Sequence, residues 1–165
     1  DEFDEEDFVA CKLRPMVDET VHAVMKFEEI DTIEIINRVP EDLQIGTIEG
    51  YLGSILHNLI TNAIKYRDPL KEPRVEIDAG RDDDDNTWFS VSDNGLGIDL
   101  EKHRDRLFGL HTTFHDHEDS SGVGLFVTKN QILAMDGNIE VESEPGVGST
   151  FRVMLPKRHK EFVDV

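Results

Sequence analysis

From Thr47 to Tyr66 the apolar residues Leu52, Ile55, Leu56, Leu59, Ile60 and Ala63 recur at helical spacing, so this segment is expected to be a helix with one face in a core. Beside that face the run ILHNLITNAIKY sets Asn58, Asn62 and Lys65 at i, i+4 and i+7, where they share an edge of the helix. Two amides and an ammonium placed against a core make sense if they line a cleft. An asparagine side-chain oxygen is a hard ligand suited to Mg²⁺, and a lysine can meet phosphate as a point charge. A solvated helix face accounts for the same spacing, and the asparagine pair alone does not decide between the two.

Two glycine turns follow. DNGLGI, Asp93 to Ile98, closes a stretch expected to be a strand, and Gly95 and Gly97 let the backbone take positive φ and approach a flat ligand. A carboxylate at Asp93 can accept from the exocyclic amine of adenine, whereas guanine presents an acceptor that it would repel. Losing such a buried bond costs ~1–3 kcal/mol, enough for a preference. An ordinary β-turn with a solvated aspartate uses the same string. In SSGVGLF, the N–H groups of Ser121, Gly122, Val123, Gly124 and Leu125 precede a helix and form an anion site contributing ~1 kcal/mol per charge. A capped helix start with Ser120 or Ser121 is the plainer alternative. Each element is weak alone. In this order they make a purine nucleotide with its metal the leading reading.

Charge limits the partners. The 165 residues carry 36 acidic against 17 basic side chains, a formal net charge of −19, so nucleic acid is not an expected partner. A nucleotide-binding chain this acidic must draw positive potential from backbone N–H groups, a lysine and a metal. The lone Cys11 excludes an internal disulfide. No stretch approaches the ~20 apolar residues of a membrane span, and no signal-peptide pattern opens the chain. A cytoplasmic domain without membrane contact is expected.

Periodicity predicts helices from Pro15 to Phe27, Thr47 to Tyr66, Leu100 to Leu107 and Gly122 to Met135, and strands at Thr32–Val39, Arg74–Ala79, Thr87–Ser92, Asn138–Ser143 and Ser149–Leu155. These sum to an α+β fold: a two-layer α/β sandwich whose mixed, mostly antiparallel sheet is covered on one face by about three helices. Residues 1–7 are expected to be an acidic linker or frayed start, 8–157 one domain, and 158–165 a tail. Asp82 to Asp85 lack the glycine and closing glutamate of a calcium loop, so a solvated hairpin tip is expected there. His103, His111, His115 and His117 invite a zinc site, but no cysteine assists, and a solvated loop is the simpler account. Trp88 and Phe89 are expected as strand residues, one of them facing the core, and His57 as an exposed residue on a helix flank.

Taken together, the motifs resemble the catalytic, ATP-binding domain of bacterial sensor histidine kinases, within the wider superfamily of gyrase-type ATPases. HNLITNAIKY looks like the N box, DNGLGI the first glycine box, LFGLHTTF the F box and SSGVGL the second glycine box, with GVGSTFRVMLP similar to the closing strand. The match covers roughly residues 8–156. The resemblance implies a Bergerat-type fold binding ATP and Mg²⁺. Asn58 and Asn62 would serve the phosphates and metal, Asn62 as the direct Mg²⁺ ligand; Lys65 would contact phosphate and Tyr66 would pack near the base. Asp93 would bind the adenine amine, with Gly95, Gly97 and Ile98 shaping that wall and Thr150 joining an adenine-side water network. Gly122 to Leu125 would hold phosphates at a lid hinge, and Phe108 and Phe114 would anchor the lid. Two departures stand out: Ser120 where the family usually has glycine, and no Lys or Arg between Arg106 and Lys129, with Thr113 where a lid arginine is often found.

Hydrolytic members of the superfamily carry a glutamate four residues before the metal asparagine, as base for water. Here Asn58 holds that position, and an amide cannot take a proton; losing a general base removes ~10²–10⁴-fold in rate. The resemblance therefore implies transfer of the γ-phosphoryl to a protein histidine. None of the seven histidines has the expected acceptor setting, so the acceptor is expected on a dimerisation domain upstream in the same parent, through which a homodimer would form. A response-regulator receiver domain would be the downstream partner. An anti-sigma-type serine kinase and a nucleotide-binding pseudokinase acting as a regulatory module are the alternatives.

Overall fold

Alternation along the strands decides which way the sheet faces. Val75, Ile77 and Ala79, then Phe89 and Val91, then Phe151, Val153 and Leu155 are all buried, while the residues between them include Glu76, Asp78, Trp88, Arg152 and Met154. One face is therefore apolar and must be covered, and helices cover it. The structure is a computed structural model that describes residues 3–28, 32–109 and 124–158.

The described elements run β1 (Val9–Lys12), α1 (Leu13–Glu28), β2 (Glu34–Asn37), β3 (Gln44–Thr47), α2 (Glu49–Lys65), β4 (Arg74–Arg81), β5 (Thr87–Asp93), α3 (Leu100–His103), α4 (Gly124–Ala134), β6 (Asn138–Glu144) and β7 (Gly148–Leu155). Five strands form one sheet in the order β2-β4-β5-β7-β6. β2 runs parallel to β4 and the other neighbours are antiparallel, with Val91 opposite Phe151 and Phe151 opposite Val141. Against the apolar face lie α1, α2 and α4, with α2 between the other two. Its residues Leu52, Ile55, Leu56, Leu59 and Ile60 are almost completely buried. This is the expected α+β two-layer sandwich.

The differences are local. β1 and β3 pair antiparallel in a second, two-stranded sheet, Val9 opposite Thr47, and neither was expected. Each is only four residues long, so no alternation could announce it; they exist because each satisfies the other's backbone. Thr47 consequently ends a strand, and α2 starts at Glu49. The helix expected from Leu100 to Leu107 is one α-helical turn, capped by Asp99, followed by a 3-10 turn at Arg104–Arg106. Trp88 faces away from the helices with the Arg152 guanidinium stacked 4.6 Å from its ring centre, and Phe89 enters the core. His57 is exposed on the flank of α2. Asp82 organises the acidic hairpin tip by accepting from the N–H groups of Asp84 and Asn86 at 2.9 Å each.

The packed body also reaches further toward both ends than expected. Phe3 packs edge-on against Tyr51 of α2 at 5.2 Å, and Phe8 is only 2% exposed. The Arg158 guanidinium covers the Phe8 ring at 3.8 Å, donates to the Met135 carbonyl at 2.7 Å and pairs with Glu5 at 3.4 Å. Acidic composition hid one aromatic anchor, Phe3, within residues 1–7. Phe8→Ala should accordingly cost about 3–5 kcal/mol in urea unfolding, as for a core aromatic, whereas Phe27→Ala, at a position 83% exposed, should change stability by less than about 0.5 kcal/mol.

Candidate nucleotide-binding site

Asn58, Asn62 and Lys65 lie half-buried along the edge of α2. The two amides are used differently. Asn58 Nδ2 donates to Thr128 Oγ1 at 3.2 Å and to the Gly124 carbonyl at 3.4 Å, fastening the first turn of α4 to α2. Asn62 makes no side-chain hydrogen bond among the described residues, and neither does Lys65. A free carboxamide and a free ammonium one turn apart can meet an anion and its counter-cation without breaking anything first.

Asp93 ends β5 on the helix side of the sheet. Its Oδ1 accepts from the N–H groups of Gly95 at 2.9 Å and Ser149 at 3.3 Å, while Oδ2 carries no bond among the described residues and is left to accept from a ligand. Burial pushes the Asp93 carboxyl above the usual aspartate range; the N–H groups of Gly95 and Ser149 and the nearby Lys71 charge pull partly the other way.

The turn after Asp93 is clamped at both ends. Leu96 N donates to the Tyr66 carbonyl at 2.9 Å, and Tyr66 N donates to the Asn62 carbonyl at 3.1 Å, so the turn hangs on the last turn of α2. On its other side Gly146 N donates to the Leu96 carbonyl at 2.8 Å and Ile98 N to Ser143 Oγ at 2.7 Å. A Cβ on Gly95 would stand 2.5 Å from the Tyr66 carbonyl oxygen, so only glycine permits this approach. Gly97 has φ +76°, and a Cβ there would lie 2.1 Å from the Glu144 carbonyl oxygen.

Thr150, expected in an adenine-side water network, has a sheet partner of its own. It pairs with Ser92 across β5 and β7, their hydroxyls 2.9 Å apart, on the sheet face opposite Asp93. Ser149, one residue earlier, is the register partner of Asp93, and its hydroxyl lies 2.6 Å from Ser143 Oγ. Sequence reasoning missed Ser149 and Ser143 because the parity of one strand position depends on pairing register. It also missed Lys71, whose Nζ reaches the carbonyls of Gly146 at 2.6 Å and Asn94 at 3.2 Å.

Phe108 packs edge-on against Phe151 at 6.5 Å with Lys129 Nζ 5.0 Å from its ring centre, which ties the segment before the expected lid to β7 and α4. Gly124 opens α4, and Leu125 packs at the core's margin. Phe114, Ser121, Gly122 and Val123 lie outside the described residues, as do Thr113, Ser120, His111, His115 and His117. Among the described residues no group of three or more His, Cys, Asp or Glu could hold a metal ion.

The described residues of the motif regions thus meet on one helix. Gly124 sits against Asn58, where a Cβ would be 3.8 Å from Asn58 Cγ, and Gly95 sits against Tyr66. The sequence profile of the histidine kinase-, DNA gyrase B- and HSP90-like ATPases matches residues 47–159. The chain belongs to this ATPase family. It is 39% identical over 113 residues to cyanobacterial phytochrome A of Nostoc sp., covering 67% of this chain and 14% of that protein. It is 32% identical over 133 residues to the autoinducer 2 sensor kinase/phosphatase LuxQ of Vibrio vulnificus, covering 76% of this chain and 15% of that one. Among solved structures it resembles full-length ShkA in complex with AMPPNP, with TM-score 0.76, 25% identity, and 92% and 31% of the two chains covered. This ATPase-family chain therefore spans about a seventh of the curated relatives named. No helix among its described residues is long and apolar enough to cross a membrane.

A stability measurement checks the Asp93 environment. Because its pKa is raised in the folded chain, the folded state holds this proton more tightly. The group favours folding below the usual aspartate pKa, and that contribution is lost as pH rises through the raised value. Urea unfolding of the wild type minus that of Asp93→Asn should show a difference that declines with rising pH across this window; a flat difference would contradict the assignment.

Proposed function

We propose that this histidine-kinase-like ATPase domain binds Mg·ATP and delivers the γ-phosphoryl to a histidine on a dimerisation domain of the same parent protein, for onward signalling to a response-regulator receiver domain. The observation that supports the reading is the convergence on α2 of an Asn62 amide and a Lys65 ammonium, both without a hydrogen bond among the described residues, and the clamped Asp93 turn. Asp93 Oδ2 accepts from the adenine amine. Gly95, Gly97 and Ile98 form the wall against the base, Tyr66 packs near it, and the Ser149–Ser143 hydroxyl pair adjoins it. Lys65 and the N–H groups from Ser121 to Leu125 take the phosphates.

The donors fit Mg²⁺: a carboxamide oxygen on Asn62 is hard, uncommitted and next to the phosphate lysine. Held by Asn62, the ion would supply positive charge to offset that of the phosphates. Asn58, tied to Gly124 and Thr128, holds the start of α4 and offers no carboxylate to activate water. That supports phosphoryl transfer to a protein acceptor over hydrolysis.

A second reading, a nucleotide-binding regulatory module without transfer activity, is favoured by one feature: no Lys or Arg lies between Arg106 and Lys129, so the lid brings no cationic side chain to the γ-phosphate. An acid-stable phosphoprotein would point instead to a serine kinase.

Calorimetry should give Mg·ATP binding with GTP weaker by about tenfold or more, the equivalent of 1.4 kcal/mol. Equal affinities would remove the role given to Asp93. With the chain joined to its dimerisation helices, Asn62→Ala should reduce formation of acid-labile phosphoprotein by at least about 10²-fold, on the scale of losing a catalytic charge-stabilising group. Unchanged transfer would reject Asn62 as metal ligand.

A further inference from the structure

Lys71 lies in the loop between α2 and β4, outside every motif in the sequence. Its side chain is 32% exposed, and its Nζ reaches three carbonyls: Gly146 at 2.6 Å, Asn94 at 3.2 Å and Val147 at 3.4 Å. Asn94 belongs to the turn after Asp93, whereas Gly146 and Val147 belong to the β6–β7 turn. One ammonium thus bridges two turns more than fifty residues apart in sequence.

The loop that presents Lys71 is itself anchored. Asp68 Oδ1 accepts from Leu70 N at 2.9 Å, the Asp68 carbonyl accepts from Lys71 N at 3.0 Å, and the Asp68 carboxylate stands 4.0 Å from the Lys71 ammonium. Asn94 answers from the opposite side: its Oδ1 accepts from Arg74 N at 2.9 Å and its Nδ2 donates to the Glu72 carbonyl at 3.0 Å. The ammonium is thus supplied from a fixed position.

The two turns that Lys71 joins each contribute one of the donors holding Asp93 Oδ1. Gly95 follows Asn94, and Ser149 follows the Gly146–Gly148 turn. The spacing of those N–H groups sets the direction in which Oδ2 points. We propose that Lys71 is a positioning residue for purine selectivity, cross-linking the two turns so that the Asp93 carboxylate meets the exocyclic amine of adenine. This rests on the reading of Asp93 as the adenine acceptor.

The test is calorimetric titration of the chain with Mg·ATP and Mg·GTP in the wild type, Lys71→Met, Lys71→Arg, Asp93→Asn and the Lys71→Met/Asp93→Asn pair. Lys71→Met, which keeps the aliphatic stem, should weaken ATP by about tenfold and leave GTP within about twofold, because losing the charged donor frees the two turns that aim Asp93, and only adenine uses that carboxylate. Lys71→Arg, which still offers cationic donors, should restore most of the preference. In the Asp93→Asn background Lys71→Met should add nothing further, since the two act through one contact. Equal losses for ATP and GTP, or full additivity in the pair, would overturn the proposal and leave Lys71 a general structural residue. A wild type without ATP preference would instead overturn the Asp93 reading itself. Should Lys71→Met not fold, Lys71→Gln carries the same comparison: lost selectivity supports the role and intact selectivity rejects it.

Discussion

The hydrogen bond from Leu96 N to the Tyr66 carbonyl is the contact on which the candidate site depends. It attaches the glycine turn after β5 to the last turn of α2, and so brings the sheet's Asp93 to the helix that carries Asn62. Everything nearby serves that attachment. Gly95 has no Cβ because the Tyr66 carbonyl occupies its place, and Gly97 adopts positive φ beneath the Glu144 carbonyl. The Asp93 carboxylate is then held by two backbone N–H groups at one oxygen only. A carboxylate half-satisfied in a largely buried position is costly unless a ligand completes it, and a purine amine is a donor of the right kind.

A second constraint is the polar seam between α2 and α4. Asn58 could in principle serve phosphate, yet its amide nitrogen is spent on Thr128 and Gly124. The same helix edge therefore divides labour: one amide secures the start of α4, and the other stays open. At the far end of this helix pair, the buried Met135 thioether accepts from Thr47 Oγ1 at 3.3 Å and Ile48 N at 3.4 Å, serving as a weak acceptor where α2 begins without a side-chain cap. α4 is thus joined at its start to the middle of α2 and, just past its end, to the residues that precede α2, and a shift in one helix would be felt by the other.

Much of this was legible in the sequence. The core face of α2 follows from helical spacing, and Val75–Ile77–Ala79 and Phe151–Val153–Leu155 announce a half-buried sheet by alternation. The glycine turns were found from composition because few residues tolerate such backbone. Legibility ended where a position's role depends on a partner distant in sequence. β1 and β3 are too short to show a period and form only on each other. Thr150 against Ser149 is a question of parity, and a one-residue difference in register exchanges the two faces of the sheet. Lys71 looks like any loop lysine until two remote turns close around it.

The amino-acid order by itself determined the elements that local physics controls: an amphipathic helix with amides on its edge, alternating strands, turns that require glycine, and a strongly acidic net charge. It also determined which chemistry was at hand, because side-chain types do not change on folding. Only the tertiary structure decided which amide is bonded to α4, which serine faces Asp93, and that Phe3 and Arg158 belong to the packed body. These depend on contacts between residues far apart along the chain, where register, packing and burial act together and no local pattern records the outcome.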